Sequence, residues 1–259
     1  MKIVSLLSVF FTVIVAIFPS TASAQGNTIV LSGSTTVNNL AFLGREKKLS
    51  EWSDVTFTVK ATSSGRGLVS LAQNEADIGM ISSELDVLLQ KLKADGYDLQ
   101  ANQFTLHKIS ETRVVFGVHK DNPIKTLTRP QVKALFLGQI KDWDELGVKG
   151  IGPVLVVTEH PTGGVYNTVV SKVLDGEPIT KERITMQNGP QVGLVISQNL
   201  GGFGMISDAT PRDQLMNTRI VPTPDVLAIQ RLYLVTRKGD KRPDLYKLIQ
   251  FVQNTYDPQ

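Results

Sequence analysis

Four short segments rich in Ser, Thr and Gly carry the side chains of this sequence best suited to chemistry. Each one follows an apolar run and precedes a segment with helical periodicity. The four segments are residues 32–36 (SGSTT), residues 63–67 (SSGRG), residues 82–83 (SS) and residues 162–164 (TGG). The repeated order of apolar run, small residues and helix predicts four strand-to-helix turns.

Such turns can bind an anion. The first N–H groups of a helix have no partner inside the helix, and the helix start carries a partial positive charge. Gly lets a ligand approach the backbone, and Ser or Thr hydroxyls add donors. Ordinary helix capping explains any one of these turns equally well. Because turns after parallel strands gather at one edge of a sheet, four of them together favour a shared binding site.

The elements that must position these turns alternate between strand and helix. We predict strands at residues 28–31, 55–60, 78–81, 113–119, 154–158, 204–206 and 229–236. We predict helices at residues 37–49, 67–74, 84–94, 130–136, 163–174, 192–199 and 244–254, with Thr128 as the N-cap of the fourth. The alternation over residues 28–94 predicts a mostly parallel sheet with helices on both faces, and the order along the whole chain predicts an α/β protein.

The pattern of strand, turn and helix restarts after about residue 150, which favours two α/β lobes over one long sheet. The strands at 113–119 and 229–236 are candidates for the connections between the lobes. The last helix would then return to the first lobe.

Several classes of function have no support in the sequence. The three His residues, His107, His119 and His160, lie far apart and the chain has no Cys, so we expect no metal site and no cofactor. No G-x-S-x-G motif occurs, and SSGRG lacks the Lys-Ser/Thr ending of a nucleotide-binding loop. With 27 basic and 24 acidic residues and no basic block, nucleic-acid binding is not expected.

The first 24 residues have the features of a secretory signal. Lys2 precedes an apolar stretch, and Ala22-Ser23-Ala24 fits a cleavage site. No second apolar run is long enough to span a membrane. We therefore expect a periplasmic or secreted monomer with no membrane span in the mature chain.

Three segments resemble the substrate-binding proteins of phosphate ABC transporters. They are SGSTTV, ATSSGRGLVSLAQNEADIGMISSEL and VVFGVHKDNPIKTLTRPQVKALFLGQIKDWDELG. The last is the most specific, because its Asn-Pro pair and its spacing of Gln131, Phe136, Trp143 and Glu145 match the family pattern. The resemblance covers residues 28–253 and weakens after about residue 175.

The resemblance implies a type II periplasmic-binding-protein fold, with two α/β lobes, two crossover strands and a ligand cleft between the lobes. Residues 25–113 and 232–259 would form lobe I, and residues 114–231 lobe II. It also implies a dehydrated oxyanion held by N–H groups and hydroxyls. The motif match implies nine site residues, which are Ser34, Thr35, Ser64, Gly65, Ser82, Ser83, Thr162, Gly163 and Gly164. Arg66 is a further candidate, because it lies within the second turn.

The fourth turn departs from the family pattern. The family has an Arg before Ser-Gly-Thr, whereas this chain has Thr158 before Thr162-Gly163-Gly164. Arg66 either supplies the missing charge or is a solvated residue of a helix start. We expect Glu159 to face solvent or pair with a base, because an inward carboxylate would repel an anion. His160 is expected at the surface rather than in contact with the ligand, but its position beside the turn makes it a candidate for pH dependence.

The predicted function is an exported solute-binding protein that binds phosphate or a related small oxyanion and delivers it to an ABC transporter permease. The alternative is a sensor, adhesion or matrix protein that has this fold with a lost or altered ligand. An enzyme is not expected, because no Ser in these turns has a suitably spaced base.

Overall fold

A computed structural model describes residues 28–45, 47, 49 and 56–256 of the 259-residue chain. The predicted signal segment at residues 1–24 lies outside the described residues. So do the first residue of the strand predicted at 55–60 and part of the helix predicted at 37–49.

The first part of the chain forms three parallel strands, each followed by a helix. The strands are β1 (Ile29–Ser34), β2 (Phe57–Thr62) and β3 (Ile78–Ile81), and the helices are α1 (Thr35–Ala41), α2 (Ser64–Ala72) and α3 (Leu85–Ala94). β1 pairs in parallel with both β2 and β3. α1 and α2 begin earlier than predicted because the hydroxyl turns themselves form the first helical residues.

A second parallel set lies later in the chain. It contains the strands β5 (Leu155–Glu159), β6 (Ile184–Met186) and β7 (Gly202–Ser207), with α5 (Gly164–Lys172) after β5 and α6 (Gly189–Ser197) before β7. β5 pairs in parallel with β6 and with β7. β6 was not predicted, since it has three residues and is largely exposed.

Two long strands run between these sets. β4 (Phe104–His119) has 16 residues and pairs antiparallel with β9 (Ile229–Arg237). β9 also pairs with β3, whereas β4 pairs with β7 and with β8 (Thr218–Val221). Among the described residues the strand order is β2-β1-β3-β9-β4-β7-β5-β6, with β8 on β4.

The sheet as a whole is mixed, but its first three strands are parallel, as their alternation with helices predicted. The two crossover strands pair antiparallel with their neighbours because each returns the chain from one lobe to the other. The first half of β4 was not predicted, since its exposed Lys108 and Glu111 hide the apolar pattern. The predicted two-lobe fold with two crossover strands is confirmed. The lobe boundaries at 113/114 and 231/232 remain a prediction.

Helix capping and apolar cores stabilise the lobes. α4 (Arg129–Phe136) begins at the predicted N-cap Thr128, whose hydroxyl accepts the Gln131 N–H, while the Gln131 side chain accepts the Thr128 N–H at 2.8 Å. The second lobe is centred on buried aromatic rings, in which Phe203 contacts Phe116, Phe136 and Trp143. The first lobe packs α7 (Pro243–Tyr256), the returning helix, on its sheet through Leu245, Leu248, Ile249 and Val252.

Candidate functional site

The four turns meet at one small cavity between the lobes. Its volume of about 10 Å³ is close to the room needed for a single water. The residues that line it are Ser34, Thr35, Thr36, Thr62, Ser63, Ser64, Ser82, Glu159, Gly163 and Gly164. The topology therefore brings together turns that are up to 130 residues apart in the chain.

Three buried serines from three different turns form one hydroxyl cluster. The Ser34 hydroxyl donates to the Ser82 hydroxyl at 2.9 Å, and the hydroxyls of Ser64 and Ser82 lie 3.4 Å apart. The Ser82 N–H donates to the Ser64 hydroxyl at 3.1 Å. Since each hydroxyl can donate or accept, the cluster can reorient toward a ligand without changing charge.

Capping also takes place at these turns. The Ser34 hydroxyl accepts the Val37 N–H at the start of α1, and the Ser63 hydroxyl accepts the Arg66 N–H at the start of α2. Capping therefore explains these two hydroxyls in part. It does not explain why the turns converge, or why the buried Thr62 hydroxyl beside them has no hydrogen-bond partner.

Two glycines allow the lobes to meet. A Cβ on Gly164 would lie 2.0 Å from the Ser82 hydroxyl and 2.6 Å from the Ser82 carbonyl oxygen. A Cβ on Gly65 would lie 2.5 Å from the Thr162 Cβ, and the Gly65 N–H donates to the Thr162 carbonyl at 3.0 Å. The two lobes are thus in direct contact around the cavity.

The predicted site residues fall into three places. Six line the small cavity: Ser34, Thr35, Ser64, Ser82, Gly163 and Gly164. Gly65, Arg66 and Thr162 line a larger adjoining groove of about 410 Å³, where the Arg66 side chain is exposed. Ser83 is buried, has an unpartnered hydroxyl, and lines a separate small cavity with Asn167 and Arg231.

Glu159 contradicts the expectation that it faces solvent or pairs with a base. It is the last residue of β5, is 5% exposed and lines the small cavity. Its carboxylate accepts the Tyr166 N–H, in the first turn of α5, at 3.0 Å. The carboxylate therefore occupies the helix start that was expected to serve a bound anion.

The environment of Glu159 favours its neutral form. Burial raises the pKa of the Glu159 carboxyl to about 7, and the N–H groups of Tyr166 and Val165 only partly oppose this rise. In the part of the chain that the structure describes, no cation lines the cavity with it. The sequence carried a usable signal, since an acidic residue shortly before a helix start often accepts its N–H groups.

Two neighbours of Glu159 complete the fourth turn. His160 is half-buried rather than fully at the surface, and its Nδ1 lies 2.9 Å from the Thr162 hydroxyl. Thr158, at the position where the resembled family has Arg, is fully buried and its hydroxyl has no partner. The fourth turn thus supplies N–H groups and a carboxyl to the cavity, but no guanidinium.

No group of three or more His, Cys, Asp or Glu residues in the described ranges could hold a metal ion. Among the helices of these same ranges, none has both the length and the apolar character needed to cross a bilayer.

Comparison with known proteins gives curated relatives of similar sequence. The chain is 28% identical over 180 residues to the phosphate-binding protein PstS of Bacillus subtilis strain 168, which covers 69% of this chain and 56% of the relative. It is 28% identical over 199 residues to PstS of Pseudomonas aeruginosa PAO1, covering 71% of this chain and 59% of the relative. The matched region thus spans little more than half the length of these relatives.

A solved structure shows the same fold. It is a putative phosphate ABC transporter substrate-binding protein from Clostridium perfringens with bound phosphate, with a TM-score of 0.73 and 22% identity over 87% of this chain and 93% of that one. The PBP superfamily domain matches residues 19–258. The chain therefore belongs to the PBP superfamily.

Proposed function

We propose that this chain is an exported solute-binding protein that binds phosphate or a related small oxyanion in the cleft between its lobes. The observation that carries the proposal is the convergence of four turns on one cavity lined by hydroxyls and helix starts. The phosphate named for the Clostridium structure and the phosphate binding named for the PstS relatives support it.

Ligand binding would proceed with a change in the lobe arrangement. A cavity of about 10 Å³ has room for no more than a single water, so a tetrahedral oxyanion requires the lobes to separate slightly around it. The crossover strands β4 and β9 are the connections about which the lobes would move. A ligand that contacts turns of both lobes favours the closed arrangement, which a membrane permease could then recognise.

The remaining parts of the proposal follow from the sequence. We propose a periplasmic or secreted monomer, released by cleavage after Ala24, that passes its ligand to an ABC transporter and catalyses no reaction. The lobes would divide at residues 113/114 and 231/232. Neighbouring genes for a permease and an ATPase would support a transport role.

Calorimetric titration with phosphate, sulfate, arsenate and molybdate tests the binding proposal. We expect saturable binding of phosphate or one of the other oxyanions, weakened about tenfold by Ser64→Ala, because this change removes a hydroxyl from the buried cluster. Ser197→Ala is the matched control, since Ser197 is also buried but bonds the Leu194 carbonyl away from the cavity.

Flat titrations with all four oxyanions would contradict the proposal and support the alternative, a protein that has the fold with a different or lost ligand. Equal weakening by Ser64→Ala and Ser197→Ala would show that the site lies elsewhere.

A further inference from the structure

The Glu159 carboxyl lies in the proposed binding cavity, although the binding of an oxyanion does not by itself require a carboxyl there. This carboxyl is buried and in contact with the N–H groups that begin α5. A buried carboxylate and a bound anion at this place would repel each other strongly, because the interior screens charge far less than water does.

Among the described residues, no positively charged side chain lines the cavity to offset this repulsion. The residues that line the cavity from the turns after β1, β2 and β3 are all Ser or Thr, and those from the start of α5 are Gly163 and Gly164. The adjoining groove contains three charged or titratable side chains close in sequence to these turns, those of Lys60, Arg66 and His160. None of the three lines the cavity. The Tyr166 side chain packs into the core of the second lobe.

We propose that the Glu159 carboxylate is a built-in competitor for the bound anion, so that an oxyanion binds as Glu159 takes up a proton. This inference rests on the proposed function. Ionised Glu159 accepts the first N–H groups of α5 as an internal anion. Protonation removes its charge and adds an O–H that can donate a hydrogen bond. The N–H groups and the hydroxyl cluster can then donate to the bound oxyanion instead.

The proposal makes binding dependent on pH in one direction. Below neutral pH the carboxyl is protonated and competes little. Above it, each pH unit lowers the apparent affinity of the wild type by about tenfold, as expected when one proton is taken up per anion bound. The free protein therefore binds most tightly in a mildly acidic medium.

The test compares phosphate binding to the wild type and to Glu159→Gln by calorimetry from pH 6 to pH 8.5. Gln keeps an oxygen for the Tyr166 N–H but cannot ionise. The ratio of the two affinities cancels the titration of phosphate itself. We expect this ratio to rise about thirtyfold across the range in favour of Glu159→Gln. In buffers of different ionisation enthalpy, we expect uptake of about one more proton by the wild type than by the variant at pH 8.5.

Control variants separate Glu159 from other groups. Glu145→Gln makes the same change at an exposed carboxylate that also accepts backbone N–H groups, and should leave the ratio to wild type constant with pH. His160→Gln should likewise leave the pH slope in place.

The outcomes distinguish the inference from the proposed function. Phosphate binding with the same pH dependence in the wild type and Glu159→Gln would overturn the inference and leave the proposed function standing. Loss of the slope in His160→Gln would assign the proton to His160 and also overturn it. No binding of phosphate, sulfate, arsenate or molybdate by either protein at any pH would overturn both.

Discussion

The two sides of the small cavity differ in how they satisfy polar groups. On the first-lobe side, Ser34, Ser64 and Ser82 satisfy one another through hydroxyls and carry no charge. On the second-lobe side, the start of α5 is satisfied by the Glu159 carboxylate, whose charge depends on pH. The comparison shows that one cavity can be lined by a part that is indifferent to pH and a part that responds to it.

A second carboxylate shows that burial makes this difference. Glu145 accepts the N–H groups of Lys141 and Asp142 at 2.8 and 3.0 Å, much as Glu159 accepts that of Tyr166. These hydrogen bonds lower the pKa of the exposed Glu145 carboxyl, whereas burial raises the pKa of Glu159. The same chemical contact therefore has opposite consequences in the two places.

The largest expected effect on ligand binding comes from forcing the two sides of the cavity apart. Gly164→Ala places a methyl group 2.0 Å from the Ser82 hydroxyl and 2.6 Å from its carbonyl oxygen. The free protein can relieve this overlap by opening its lobes, whereas a complex that holds both lobes on the ligand cannot. The cost of about 1–3 kcal/mol should therefore lower oxyanion affinity by about ten- to a hundredfold. Calorimetric titration of the variant measures the loss.

Gly189→Ala is the control for this change. Gly189 also begins a helix, but the nearest atom to its added Cβ is the Thr210 hydroxyl oxygen at 4.0 Å. Affinity that is unchanged in Gly164→Ala would show that the second-lobe turn does not close on Ser82 when the ligand binds.

The next effect concerns stability and the charge of Glu159. The pKa of Glu159 is raised from 4.5 to about 7 in the folded protein, so the folded state binds the proton more tightly than the unfolded state. This contribution is fully present below pH 4.5 and is lost as pH rises through about 7. Between these limits the free energy of unfolding should fall by about 3 kcal/mol.

Glu159→Gln should remove this fall, so the variant should gain stability over the wild type as pH rises from 5 to 8. Urea unfolding without added oxyanion at several pH values measures the difference. A constant difference between the two proteins across this range would mean that Glu159 remains ionised in the fold.

The smallest effect is expected at the exposed carboxylate. The pKa of Glu145 is lowered, so its stabilising contribution is present above pH 4.5 and is lost as pH falls below that value. Glu145→Gln should lower the melting temperature slightly at pH 7, and this difference should vanish in acid. A Glu145→Gln effect that grows above pH 7 instead would contradict the contrast between the two carboxylates.

Much of the local structure could be predicted from the sequence. The limits of β3 matched at both ends, and α4 begins at Thr128 because a hydroxyl followed three residues later by Gln encodes a capping box. The part of β4 before residue 113, which pairs antiparallel with β9, could not be predicted. Residues such as Lys108 and Glu111 stay exposed on it, and its partner strand β9 lies more than 100 residues away in the chain.

The site divides along the same line. The sequence by itself determined the four hydroxyl and glycine turns, because small residues and helix caps act through the backbone within a few positions. Only the tertiary structure decided that these turns share a cavity and that Glu159 is buried in it. Burial depends on how two lobes pack, and the loss of water around a carboxyl, which sets its pKa, has no signature in neighbouring residues.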